Sequence, residues 1–185
     1  MFHEMIKSAL SYTRRYWFLL PRFFFAQFFL GQFWAPVTKD SRRLLSTSDQ
    51  PFAVSHLYND FAQYRLYSEK YKYNIDMNKL HIEPDHMILS GGPATAFLNC
   101  RTSIDKAQGF LLELNDELIS VMVPICFPSQ SNCIGVFQFT MENLDLAYFL
   151  FNTVEAIKVR VYEILQNHIK VIDFQYFYAV FQRST

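Results

Sequence analysis

Glu117–Met141 reads ELISVMVPICFPSQSNCIGVFQFTM. Glu117 to Phe127 forms one apolar run and Cys133 to Met141 another. Between them, Pro128-Ser129-Gln130-Ser131-Asn132 is a turn-forming segment. Two such runs around a short polar loop predict an antiparallel hairpin. Gly135 sits where two backbones can approach closely, because it has no Cβ. Cys126 and Cys133 flank the turn and are expected to face each other across the hairpin as reduced thiols.

Outward from this hairpin, the chain alternates short strands and helices. Met5, Ile6, Ala9, Leu10 and Thr13 recur at helical spacing, so Glu4 to Arg15 reads as an amphipathic helix. Gln32 to Val37 reads as a strand ended by Pro36 and a polar turn, Thr38 to Arg43, with Leu44 to Thr47 returning. Ser55 to Gln63 is a short helix or loop. Tyr64 to Ile75 (YRLYSEKYKYNI) is aromatic and alternating, which predicts a strand. Asp76 to Met87 is polar and loop-like, and Phe110 to Leu114 is ambiguous. Ser90-Gly91-Gly92-Pro93 is a turn feeding a helix through Ala94 to Cys100, with Pro93 suited to its first position. Phe149, Leu150, Thr153, Val154, Ile157, Val161, Ile164 and Leu165 make one apolar stripe on a terminal helix, Leu144 to His168.

The chain has 185 residues, 51% hydrophobic and 18% charged, which is a globular composition. Lys+Arg and Asp+Glu both total 17, so the formal charge is zero. A free-standing nucleic-acid binder draws most of its non-specific affinity from a basic excess, and none is present. Arg14-Arg15 and Arg42-Arg43 read as solvated pairs. Three cysteines do not make a disulfide framework and fit a reducing interior. No CxxC or His-Cys cluster has zinc spacing, and no Gly-x-Ser-x-Gly, P-loop or HExxH is present.

Tyr16 to Trp34 (YWFLLPRFFFAQFFLGQFW) is nearly long enough to span a bilayer. Pro21-Arg22 breaks and charges it near the middle, and Gln27, Gly31 and Gln32 interrupt it further.

Four blocks recur in an order that resembles the amino-terminal region of plant NIN-like proteins, the RWP-RK transcription factors of nitrate signalling. The first is Phe33 to Phe52, FWAPVTKDSRRLLSTSDQPF. The second is Gln63-Tyr64-Arg65-Leu66-Tyr67-Ser68 running to Ile75-Asp76, similar to the family's Gln-Tyr-Arg strand. The third is Leu89 to Phe97, with Gly91, Pro93 and Phe97. The fourth is Val123-Pro124, Ser131 to Val136 and Glu155-Ala156. Val121 to Ile125 followed by Ile134 to Phe137 also looks like the paired strands of a GAF domain.

The resemblance implies an α+β fold: a GAF-like antiparallel sheet flanked by amino- and carboxy-terminal helices. It divides the chain into an amino-terminal helix (1–16), a Phe-rich insert (17–29), a GAF-like domain (30–168) and an aromatic tail (169–185). The insert reads as a diverged segment or retained intron. Trp34, Phe52, Phe97 and Phe137 are expected in the core.

By resemblance the function is that of a regulatory or sensor domain of a nitrate-responsive transcription factor, nuclear or cytoplasmic, truncated before the RWP-RK domain and not an enzyme. Its partners would be further NIN-like chains, paired through the terminal helices, without direct nucleic-acid binding. The family carries a Pro-Glu-Trp-Thr-Pro segment after the central helix and an Arg before the Pro-ending strand. Here those positions fall near Ile104 and on Leu118, and the loop Thr102 to Glu113 is shortened. No ligand, cofactor, metal or catalytic residue is therefore carried over, and nitrate binding is not expected.

Arg65 and Arg101 are the strongest cationic candidates for an anion, with Ser120 as a hydroxyl, but surface or structural arginine is the better reading of both. His81 and His86, flanking Glu83 and Asp85, could ligate a metal but fit a solvated loop better; His3, His56 and His168 lie at loops or element ends. The alternatives are a membrane-associated protein anchored by residues 16–34, or a non-functional gene fragment.

Overall fold

The computed structural model describes residues 4, 6–7, 29–54, 59–76, 88–89, 91–106, 118–126, 133–142, 144–145, 147–148, 150–151 and 158. Its elements, in order, are β1 (Phe29–Lys39), β2 (Arg42–Ser46), β3 (Phe52–Val54), α1 (Asn59–Lys70), β4 (Lys72–Asn74), β5 (Ile88–Leu89), α2 (Gly92–Asn99), β6 (Ser103–Lys106), β7 (Ile119–Cys126) and β8 (Cys133–Met141). The strands form one sheet in the order β5-β4-β2-β1-β8-β7-β6, with β3 also pairing β1. All pairs are antiparallel except β4 with β5. The α+β class and antiparallel sheet are thus present.

The hairpin forms as its sequence dictates: β7 and β8 pair from Ile119↔Met141 to Cys126↔Cys133. β1 is the hinge of the sheet. Its first part pairs β8 (Phe29 to Trp34) and β3 (Leu30 to Gln32), and its second pairs β2 (Ala35 to Lys39). Pro36 does not end the strand as expected. It lies past the last β8 pair, at Trp34↔Val136, so its missing N–H interrupts no ladder on that side. Pro124 is tolerated similarly, since β6 pairs β7 only from Ile119 to Met122.

The turn between β1 and β2 is tighter than the sequence suggested. Lys39 pairs Arg42 directly, leaving Asp40 and Ser41 as a two-residue loop with φ of 52° and 59°. Positive φ at both positions marks a type I′ turn, which favours Asn-Gly. Asp40→Asn with Ser41→Gly is expected to raise stability by about 0.5–1 kcal/mol. Urea unfolding at constant slope is the check.

The strand expected over Tyr64 to Ile75 is corrected. Asn59–Lys70 is the helix α1, and only Lys72–Asn74 is extended. Phe61, Tyr64, Arg65 and Ser68 are its buried positions, an i, i+3, i+4, i+7 face. Half of that face is polar, so no apolar stripe advertises the helix, and the tyrosines suggest a strand instead.

The glycine turn behaves as read. Gly91 has φ 93° and precedes α2, Pro93 occupies the first turn, and Cys100 closes the helix in the left-handed conformation. β6 arises inside the segment read as a shortened loop. Of the expected terminal helices, Glu4, Ile6 and Lys7 are helical at one end. Leu144, Asp145, Ala147, Tyr148, Leu150, Phe151 and Lys158 are helical at the other. The rest of Glu4–Arg15 and Leu144–His168 lies outside the described residues, as do residues 77–87, 107–117 and 169–185. Residues 29–34 of the apolar run belong to β1, inside the sheet, so Tyr16–Trp34 is not one helical span. Residues 16–28 lie outside the described set. No helix among the described residues is long and apolar enough to cross a membrane.

Strand alternation gives the sheet two unlike faces. One is apolar: Phe33, Val121, Val123, Ile125, Phe137 and Phe139 are all buried, and Phe33 packs on Phe137 with centroids 5.0 Å apart. The other carries α1 and α2. There Phe97, Ala94 and Ala96 of α2 cluster with Trp34, Met122 and Val136. Phe61 and Tyr64 of α1 cluster with Leu30 and Leu118. Trp34, Phe97 and Phe137 take their expected core places. Phe52 does not: it is 52% exposed, its ring lying under the Arg65 guanidinium at 4.8 Å.

Candidate functional site: a buried polar network under the helices

Among these apolar clusters lies a set of buried polar side chains, placed by strand register. Gln32 of β1 is directly opposite Gln138 of β8, and Gln138 is opposite Met122 of β7, two residues from Ser120. All of Gln32, Gln138, Ser120 and Thr140 are at most 1% exposed.

Gln138 is the hub. Its Oε1 accepts from Trp34 Nε1 at 2.7 Å and Gln32 Nε2 at 2.8 Å. Its Nε2 donates to Tyr64 Oη at 2.8 Å and Ser120 Oγ at 2.9 Å. Both lone pairs and both N–H groups of the amide are therefore used. Ser120 and Thr140 share a hydrogen bond at 2.9 Å. Gln32 Nε2 also donates to Ser68 Oγ at 3.0 Å, and Ser68 donates onward to the Tyr64 carbonyl. The network thus ties β1, β7, β8 and α1 together.

Arg65 extends it towards the turn after β2. Its Nη1 donates to Gln32 Oε1, and its Nη2 to the carbonyls of Thr47 and Gln50. Glu69, one helical turn on, sits 2.9 Å from Nη2. The Arg65 Nε is buried with no hydrogen-bond partner among the described residues. Burial pulls the Arg65 pKa below its usual value, against the opposing pull of Glu69.

Burial also raises the pKa values of the Tyr64 and Tyr73 phenols above the ordinary tyrosine value, and it pushes the Cys133 thiol up to about 11. A raised folded pKa means the folded state keeps a proton that the unfolded state releases. The Cys133 contribution is complete below about pH 8 and is lost as pH rises from the unfolded cysteine value towards about 11, while the tyrosine contributions are lost from about pH 10 upward. Stability should therefore be flat around neutrality, begin to fall from about pH 8.5 and fall more steeply from about pH 10. Denaturant midpoints between pH 7 and 11 test this, with Tyr73→Phe expected to flatten part of the fall.

Two of the three residues singled out in the sequence meet here: Arg65 and Ser120 both join the network, through Gln32 and Gln138. Arg101 is exposed outside it. Leu118 is buried beside Phe61 and Tyr64, and Ile104 sits on β6. All five histidines, with Glu83 and Asp85, lie outside the described residues. Gln32, Gln138 and the bonding role of Trp34 were not foreseen. Their signal is a glutamine within each of two aromatic strand runs, GQFW and FQFT.

The cysteines require a correction. Cys126 does face Cys133 across the hairpin, but Cys126 is bonded to Cys100 at the end of α2. The fold brings together thiols that are 26 residues apart, a closeness sequence spacing does not reveal. Cys133 remains free and buried, and donates to the Gly135 carbonyl at 3.1 Å.

Comparison with known proteins yields two relatives in Arabidopsis thaliana. Protein NLP7 is 26% identical over 155 residues, covering 76% of this chain and 16% of that protein. Protein NLP6 is 29% identical over 152 residues, covering 77% of this chain and 18% of that protein. The chain therefore spans about a sixth of the length of the curated relatives it matches. No known family profile matches it, and no solved structure does. At the level of the family, the chain is a relative of the NIN-like proteins.

Proposed function

We propose that this chain is a GAF-like regulatory region related to nitrate-responsive NIN-like transcription factors. It acts in the nucleus or cytoplasm by contacting related chains, through its terminal helices, rather than by catalysis or by gripping DNA. Similarity across three-quarters of the chain supports the regulatory assignment. The observation that carries the interaction role is the closed state of the buried network. Gln138 has all four hydrogen-bonding capacities filled by the protein's own groups, and Arg65 is held by two carbonyls and Glu69. A small ion would have to displace these bonds. The zero formal charge also argues against phosphate-driven DNA binding. Pulldown of a full-length NIN-like protein by this chain at micromolar concentration is the expected result, and no capture would remove the reading.

One observation favours a second reading, small-anion sensing: the buried Nε of Arg65, which has no hydrogen-bond partner among the described residues. An anion reaching it would stabilise the fold by mass action, about 2.7 kcal/mol at a concentration 100 times its Kd. Nitrate titration would then raise Tm in the parent chain and not in Arg65→Met. A flat Tm up to tens of millimolar nitrate removes this second reading and leaves the first.

A further inference from the structure

The three cysteines converge from separate elements. Cys100 caps α2, Cys126 ends β7 and Cys133 begins β8. Their Sγ atoms all lie within 4.8 Å of one another. Two of the three are paired as a disulfide, and that pairing leaves the third sulfur alongside without a covalent role. Nothing in the regulatory reading uses this trio.

We propose that Cys100, Cys126 and Cys133 form a site for one thiophilic closed-shell cation, Zn2+ or Cu+, when the Cys100–Cys126 bond is reduced. Thiolate sulfur is the donor that selects these ions. Metal–sulfur bonds of about 2.3 Å set sulfurs about 3.8 Å apart around a tetrahedral centre, within the 4.8 Å that bounds the trio. Two of the ligands are already fixed by register, as the Cys126↔Cys133 pair. The third is fixed by the left-handed closure of α2, at φ 49°, and α2 packs on both hairpin strands. The sulfurs are therefore gathered by strand pairing and helix packing as well as by the Cys100–Cys126 bond. The flanks are apolar, since Cys133 belongs to the cluster of Phe97, Met122 and Val136, with Cys100 and Cys126 packed against it. A poorly hydrated surround of this kind favours soft sulfur ligation over hydrated ions.

The chemistry balances without a further component beyond a dithiol reductant. The dithiol supplies two electrons and two protons; the Cys100–Cys126 bond breaks to two thiols and the reductant closes to its own disulfide. Binding of the cation then displaces up to three thiol protons to solvent. The site is thereby available only in the reduced chain.

The test uses the full chain, reduced with a dithiol and desalted without oxygen. It is titrated with Zn2+ against a chromophoric chelator and, separately, with Cu+ against a Cu+ chelator. Co2+ serves as a spectroscopic probe through its sulfur-to-metal charge-transfer absorption. The expected result is one equivalent bound by the reduced chain and none by the disulfide form, with the two titrations deciding between the ions. Cys133→Ser, which leaves the Cys100–Cys126 pair intact, should weaken binding by on the order of 100-fold. If Cys133→Ser does not fold, Cys100→Ser gives the same comparison. Failure of the reduced chain to take up any of the three ions at micromolar concentration would overturn the proposal. So would affinity equal to that of the serine variant.

Discussion

Replacing Gln138 with leucine is expected to lower stability by about 4 kcal/mol, a large fraction of the roughly 5–15 kcal/mol that domains possess. Leucine matches the side-chain volume closely, so the loss comes from hydrogen bonding rather than from a void. Trp34 Nε1 would lose its acceptor, and Gln32 Nε2 one of its two. Each stranded buried donor costs about 1–3 kcal/mol. Tyr64 Oη and Ser120 Oγ would lose a donor as well. For a chain of this size the shift in Tm is about 8–16 °C. Gln138→Leu combined with Trp34→Phe removes one of the stranded donors, so the double variant should lose less than the sum of the singles. The shortfall, about 1 kcal/mol in a double-mutant cycle, measures the Trp34–Gln138 bond directly. Strict additivity would show that the two side chains do not meet.

The second large effect belongs to Gly135. A Cβ added there would lie 2.1 Å from Phe33 Cζ and 2.7 Å from the carbonyl oxygen of Trp34. The ring has nowhere to retreat: Phe33 is fully buried and packed on Phe137. The carbonyl belongs to the backbone of β1, so relieving that contact means prising β1 from β8. Gly135→Ala should therefore cost about 3 kcal/mol or more, at the upper end of overpacking. Adding Phe33→Leu should relieve the ring contact but not the carbonyl, giving partial recovery. Circular dichroism melts and urea midpoints of the three proteins distinguish these outcomes. Wild-type stability of Gly135→Ala would mean that β1 and β8 do not pair in this register.

Much of the sheet is readable because its signals are local. The Pro-Ser-Asn loop between two apolar runs, the glycines ahead of Pro93 and the polar turn after Val37 each act through their own few residues. What was missed depends on tertiary context. Tyr64–Lys70 carries aromatic alternation that suits a strand, yet it is a helix because Phe61, Tyr64, Arg65 and Ser68 share one buried side. Arg65 is not recognisable as an inward residue until Gln32, Thr47 and Gln50 are placed around it. Gln138 is one glutamine among aromatics until pairing sets it against Gln32. The Cys100–Cys126 bond likewise needs α2 to be laid across the hairpin. Arg65 and Ser120 stand out in the sequence as a cation and a hydroxyl, and only the fold shows that they share a buried network.

The central position of β1 has a consequence for biosynthesis. Phe29 pairs with Met141, 141 − 29 = 112 residues later. At ribosomal speeds of about 5–20 residues per second, β1 emerges about 6–20 s before its partner is made. During that interval it can close its hairpin with β2 and its short pair with β3, but its β8 side stays open, an unpaired edge carrying Leu30, Phe33 and Trp34. Such an edge invites pairing with another nascent chain. Yield in the cell should therefore depend on what shields residues 29–34 during synthesis, more than on the stability of the finished sheet.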